Sequence, residues 1–177
     1  SSDVCSSDLE IPISNALFPN PWSLEFQRWR QDGSGFWLLY NERGHQRLRL
    51  LEVNAADGNV QTVIDESSRT FIHYSADGKF ELRWLDDNTV LWASERSGWN
   101  HLYRYSLQSR TLLNAVTQGE WNVRRIEHID QSLGWIWFYA VGAVAGQDPY
   151  HEHFCRVRLD GSGFQVLTNG DGTHSVE

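Results

Sequence analysis

The run His151-Glu152-His153-Phe154-Cys155 holds the densest chemistry in the chain. Residues two apart on a strand share a face, so His151, His153 and Cys155 would present two imidazoles and a thiol to one side. That is a donor set for a soft divalent metal. Alternate side chains stand ~7 Å apart along a strand, and no fourth ligand lies nearby, so the three do not close a tetrahedron. The run therefore reads as a packed or solvated face, and no metal or other cofactor is expected. His174 has no nucleophile or carboxylate partner in sequence and reads as structural. Two acid–base pairs, Glu42-Arg43 and Glu95-Arg96, could grip a charged ligand. Trp99, Asn100 and His101 could line a site at one end of the strands. These residue types also lock turns: indole packs, and Asn or His satisfies backbone groups. No Gly-x-Ser-x-Gly elbow or phosphate-binding glycine loop is present. Gly161-Ser162-Gly163 reads as a turn.

These residues sit in a repeat. Tyr40-Asn41-Glu42-Arg43-Gly44-His45-Gln46-Arg47-Leu48 aligns with Ala93-Ser94-Glu95-Arg96-Ser97-Gly98-Trp99-Asn100-His101-Leu102, with one residue inserted. Each Glu-Arg follows an apolar run and precedes a longer alternating one. That shared context reads the pairs as ion pairs or hydrogen bonds at a strand-to-turn corner. A degenerate third copy has Trp135 to Val141 as its apolar run and His153 to Leu159 as its alternating one. The apolar runs start at Phe36, Val90 and Ile136, which are 54 and 46 residues apart. Aromatic and aliphatic residues at period two, cut by glycine and polar turns, read as antiparallel strands. Units of about 40–50 residues built from four short strands predict β-propeller blades.

The fold class expected is therefore all-β, a partial β-propeller of about three four-stranded antiparallel blades, roughly 22–64, 71–117 and 123–168. Trp22 to Trp29 reads as an outer strand of an incomplete blade. Asp57-Gly58, Ser75 to Lys79 and Asp86 to Asn88 read as turns. Trp135 to Val141 is apolar on both faces and reads as an inner strand between neighbouring sheets. No amphipathic helix is expected.

Composition narrows the function classes. The 177 residues carry a formal charge of −8, which argues against nucleic acid as a partner. Nine tryptophans suit aromatic packing between sheets. There is no methionine, so a natural start upstream is expected. No apolar run approaches the ~20 residues of a membrane-spanning helix, and no signal-peptide core is present. Residues 1–9, SSDVCSSDL, match one reading frame of a common sequencing-library adapter and are expected to be foreign to the fold. Cys5 then has no biological role, and the remaining Cys155 can form no intramolecular disulfide.

The segment Trp92-Ala93-Ser94-Glu95-Arg96-Ser97-Gly98-Trp99-Asn100-His101-Leu102-Tyr103 resembles the signature blade of the dipeptidyl peptidase IV family of serine peptidases, in its N-terminal propeller. Tyr40 to Gln46 precedes it in the family's order. Thr117-Gln118-Gly119-Glu120-Trp121-Asn122-Val123, Asp148-Pro149-Tyr150, Leu159 to Gly163, Leu167-Thr168 and Gly172 to Val176 follow. The resemblance covers roughly Pro21 to Glu177. It implies a propeller over a C-terminal α/β-hydrolase domain in cis, a peptide substrate held by its free amino terminus between two glutamates, a homodimer surface, and an extracytoplasmic location. The chain contains no Glu-Glu pair and no triad, so no catalytic or substrate-binding residue is assigned. Glu42, Arg43, Gly44, Glu95, Arg96, Gly98, Trp99, Asn100, His101 and Trp121 are assigned as a structural blade motif. The expected function is a non-catalytic segment that scaffolds the hydrolase domain and gates peptide access to it. The alternative is a stand-alone propeller that binds a protein or ligand.

Overall fold

The computed structural model describes residues 12–68 and 82–168. The adapter-like stretch 1–9, the turn at Ser75 to Lys79 and His174 lie outside the described residues. Among the described residues there are twelve strands and no helix. They are β1 (Pro21–Trp29), β2 (Gly35–Glu42), β3 (Arg47–Asn54), β4 (Val60–Ser67), β5 (Leu82–Trp84), β6 (Thr89–Ser94), β7 (His101–Ser106), β8 (Thr111–Ala115), β9 (Asn122–Asp130), β10 (Trp135–Val141), β11 (Glu152–Arg158) and β12 (Gln165–Val166). They form three antiparallel sheets of four, each in chain order: β1-β2-β3-β4, β5-β6-β7-β8 and β9-β10-β11-β12. This is the blade unit of a β-propeller. The strand expected at Trp22 to Trp29 is β1, which pairs with β2 from Pro21↔Glu42 to Trp29↔Phe36 and makes the first blade a four-stranded sheet. The alternation there is broken by two register shifts, between Pro21 and Ser23 and between Phe26 and Arg28, which blurred the period in sequence.

The chain divides into two compact units, Ser1–Thr70 and Phe71–Glu177. In the first, Leu38, Tyr40, Leu51, Val53 and Val60 form an apolar cluster against which Leu17 and Phe18 pack. The proline-rich lead-in is pinned at two points. The Tyr40 hydroxyl donates to the Pro19 carbonyl. The Arg49 guanidinium donates to the Leu17 carbonyl at 2.7 Å. The buried carboxylate of Glu52 meets Arg30.

In the second unit two sheets share one core. Leu91, Ala93 and Leu102 of one sheet join Val123, Ile126, Ile136, Phe138 and Ala140 of the other. Burying each large aliphatic or aromatic side chain here contributes roughly 1.5–3 kcal/mol. On β10 the burial alternates. Ile136, Phe138 and Ala140 are fully buried, while Trp135, Trp137 and Tyr139 are half-buried. Cations cover part of that second face: Arg125 lies 4.0 Å from the Tyr139 ring, and Arg156 and Arg158 lie 4.5 and 4.8 Å from Trp135.

Polar bonds fasten the two sheets at separate places. Asn114 Nδ2 donates to the Leu159 carbonyl at 3.0 Å. At the start of β7, Asn100 bridges to β9 three times. Its Nδ2 donates to the Val123 carbonyl at 2.9 Å, its backbone N–H donates to Asn122 Oδ1 at 2.7 Å, and its carbonyl accepts the Val123 N–H at 2.8 Å. The bridge is dry, since Asn100 is 5% exposed. Truncation of that side chain strands the Val123 carbonyl, and a buried orphan acceptor costs about 1–3 kcal/mol. Asn100→Ala is therefore expected to lower the unfolding free energy by that amount, seen as a lower denaturation midpoint, and Asn100→Asp by more, because a carboxylate would face a carbonyl. Equal midpoints for Asn100→Asp and the wild type would contradict the bridge.

Candidate functional site

The two Glu-Arg pairs occupy the same place in their sheets, the corner between the second strand and the third. In each, the glutamate carbonyl accepts the N–H that closes the turn, from His45 to Glu42 and from Gly98 to Glu95, both at 2.9 Å. Gly44 and Gly98 sit at positive φ, 100° and 92°, where a side chain would be strained. Each arginine lies on an aromatic ring. Arg43 is 5.9 Å from Trp22, and Arg96 is 4.1 Å from Tyr103. Arg96 also donates through its backbone N–H and Nε to Ser94 Oγ, at 3.1 and 3.0 Å. Glu95 and Trp99 are on the outside of their turn, exposed.

Asn100 and His101 turn inward from that corner. His101 is 1% exposed, and both its nitrogens are engaged. Nε2 lies 2.8 Å from the Gly119 carbonyl and Nδ1 lies 2.9 Å from Thr117 Oγ1. A carbonyl only accepts, so Nε2 carries the hydrogen and Nδ1 accepts from the Thr117 hydroxyl. The same hydroxyl oxygen accepts the Leu102 N–H at 2.9 Å. Trp121 meets His101 edge-on at 4.8 Å and stacks on Phe138 and Phe164 at 5.9 and 5.0 Å. Gly119 has φ 132°, and a Cβ there would fall on the indole of Trp121. The cluster is thus a closed latch that holds the connection after β8 against β7. Of the assigned motif it gathers Asn100, His101 and Trp121, while Glu42, Arg43 and Gly44 belong to the other unit. Sequence reasoning placed Thr117, Gly119 and Asn122 inside a recognisable segment but gave them no role. Their signal was a threonine and a glycine flanking the turn before Trp121.

The His151-Glu152-His153-Phe154-Cys155 run is strand β11 with its preceding residue. His153 and Cys155 are buried on the core side, and the Cys155 thiol donates to the His153 carbonyl at 3.5 Å. Burial pushes that thiol up to about 12, far from a thiolate ligand or nucleophile. The His151 and His153 rings lie 5.0 Å apart. Among the described residues no three His, Cys, Asp or Glu side chains gather as a metal site. The polar groups of the site bind backbone and one another.

Burial lowers the pKa of His101 below its ordinary 6.5, and the Gly119 carbonyl opposes this only in part. Between the folded and unfolded values the unfolded chain binds more protons, so stability rises with pH there. The contribution is complete above 6.5 and is lost as pH falls through the lower folded value. His101→Gln is expected to destabilise the protein near pH ~7.5 and to flatten the loss of Tm between pH ~7.5 and ~5.5. A histidine resonance that titrates at or above the ordinary value would refute the buried neutral imidazole.

With this geometry in place, relatives can be compared. Residues 3–177 match the family model of the dipeptidyl peptidase IV (DPP IV) N-terminal region. The structure of a putative dipeptidyl aminopeptidase IV from Bacteroides ovatus superposes with a TM-score of 0.60 at 17% identity, over 80% of this chain and 22% of that one. Porphyromonas gingivalis dipeptidyl peptidase 4 gives 0.61 at 14% identity, over 78% and 18%. A putative TolB from Agrobacterium tumefaciens gives 0.53 at 14% identity, over 85% and 50%. At these identities the three structures speak for the fold, and the chain spans less than a quarter of the length of either dipeptidyl peptidase. Since the family model runs along nearly the whole sequence, and the blades it covers are those just described, the chain belongs to the family of dipeptidyl peptidase IV N-terminal regions.

Proposed function

We propose that this chain is a non-catalytic propeller segment of a dipeptidyl-peptidase-IV-like serine peptidase. In that role the blades scaffold a C-terminal α/β-hydrolase domain and gate the access of peptides to its serine. The observation that carries the reading is the family match over residues 3–177, on blades whose inward polar side chains are committed to holding strands together. A rigid wall of stacked blades excludes folded proteins by size and admits peptide ends. An ammonium group held between carboxylates then sets the distance to the scissile bond, since a desolvated charge pair positions its ligand closely. Those carboxylates, the triad, the homodimer surface and an extracytoplasmic location belong to the same proposal.

Fold alone does not fix this, because blades of this type serve many functions. The likeness to a putative TolB favours keeping a second reading, a stand-alone propeller that binds a protein or ligand. Sequencing the source locus through both ends of the segment separates the two. The peptidase reading expects Gly-x-Ser-x-Gly followed by Asp and His in frame downstream, a Glu-Glu motif upstream, and release of an Xaa-Pro dipeptide by the intact protein. A frame that closes after further blades, without a hydrolase domain, overturns it. The segment is also expected to behave poorly by itself. Trp22, Phe26 and Trp29 on the edge strand β1 are 59, 54 and 54% exposed, and an uncovered aromatic edge favours association. A monodisperse, cooperatively melting preparation of residues 10–177 would count against the expectation.

A further inference from the structure

The latch around His101 has a second copy. In the central blade His101 is followed sixteen residues later by Thr117-Gln118-Gly119; in the third blade His153 is followed fifteen residues later by Thr168-Asn169-Gly170. The backbone bonding repeats with the sequence. Thr117 Oγ1 accepts the Leu102 N–H at 2.9 Å, and Thr168 Oγ1 accepts the Phe154 N–H at 3.1 Å. The Val116 N–H donates to the Leu102 carbonyl at 2.8 Å, and the Leu167 N–H donates to the Phe154 carbonyl at 2.7 Å. His153 is 2% exposed and bonds the Thr168 backbone, as His101 bonds the Gly119 carbonyl. Its Nδ1 is buried without a partner among the described residues, next to the threonine whose counterpart supplies that partner in the central blade.

We propose that His101–Thr117 and His153–Thr168 are two copies of one acid-labile latch, in which a neutral buried imidazole and a threonine hydroxyl fasten the end of a blade's fourth strand to the start of its third. The latch is a property of the two blades and stands apart from the peptidase reading.

The chemistry explains why the imidazole must be neutral. The threonine oxygen already accepts a backbone N–H, and its own hydrogen is free to donate to Nδ1. Protonation turns Nδ1 into a donor, so the hydroxyl must turn its own hydrogen away from the ring and loses its acceptor in a buried site. Among the described residues no carboxylate stands against either ring to stabilise an imidazolium. Around His101 stand Thr117, Gly119, Trp121 and, across β6, Ser94. Around His153 stand Ala140 across β10, the Cys155 thiol, Thr168 and the His151 ring, whose own charge would oppose a second. Glu152 lies on the other side of β11, paired with Arg125 at 2.9 Å and with Arg124 at 3.6 Å. Burial lowers the pKa of both histidines, so both latches lose their hold as pH falls below the ordinary histidine range.

Hydrogen exchange on the intact protein, corrected for intrinsic rates, tests this at pH ~8 and pH ~5.5, on either side of the histidine range. Peptides spanning 101–119 and 153–168 are expected to lose protection together on acidification, by up to about tenfold for each histidine, because pH ~5.5 lies about one unit below the unfolded value. Peptides from β9 and β10 should not follow. His153→Gln is expected to abolish the pH response of 153–168 and to leave that of 101–119 intact. Thr168→Val should expose the Phe154 amide at both pH values, whereas Thr168→Ser, which keeps the hydroxyl, should not. This hydroxyl pair keeps the test open if His153→Gln does not fold. Protection of 153–168 that persists at pH ~5.5 while 101–119 opens would overturn the proposal. So would a Thr168→Val variant that exchanges like the wild type.

Discussion

A four-stranded sheet with apolar side chains on both faces cannot be stable alone in water, and this constraint governs the second unit of the chain. β6 is buried along nearly its whole length, from Val90 to Ser94, with Val90 and Trp92 on one face and Leu91 and Ala93 on the other. Only a neighbouring sheet can cover such a strand. Leu91 and Ala93 accordingly meet Val123, Ile126 and Phe138 in one core. The area argument is non-directional, however. It brings two sheets together without saying in which register they stop.

Register comes from the polar groups. Asn100 reaches across to Asn122 and Val123, and Asn114 reaches across to Leu159, so the sheets are fastened at separate points along their edges. Each bond is modest, but breaking one leaves a buried orphan, and that asymmetry resists sliding. His101 adds a chemical condition to the mechanical one, because its two hydrogen bonds need a neutral ring. The indole of Trp121 packs on that ring and on Phe138, which joins the latch to the core. In the first unit, the proline-rich lead-in is held by a tyrosine hydroxyl and an arginine, so an irregular segment covers part of a sheet face.

Polar chemistry in this chain is spent on holding strands and turns together. The groups that looked reactive in sequence are engaged elsewhere: the arginines lie on aromatic rings, the glutamate carbonyls close turns, and the Cys155 thiol is too buried to ionise near neutral pH.

The sequence by itself determined the strands, the turns and the repeat, because side-chain period, glycine at positive φ and Asp or Asn turns are local properties of the backbone. The Glu-Arg-Gly corners and the apolar run Trp135 to Val141 were legible for that reason, and the family resemblance rested on the same residues. It did not determine the register of β1 against β2, since two shifts in the pairing hide the alternation. Nor did it identify Thr117 as the partner of His101, or Thr168 as the acceptor of the Phe154 N–H. Those contacts span sixteen and fourteen residues of chain and form only when the third and fourth strands of a blade fold together. The tertiary structure alone decided which polar atoms would be buried, and burial decides whether a histidine, a threonine hydroxyl or a thiol acts as reactive chemistry or as a fastening, because loss of water makes every unpaired donor and acceptor costly.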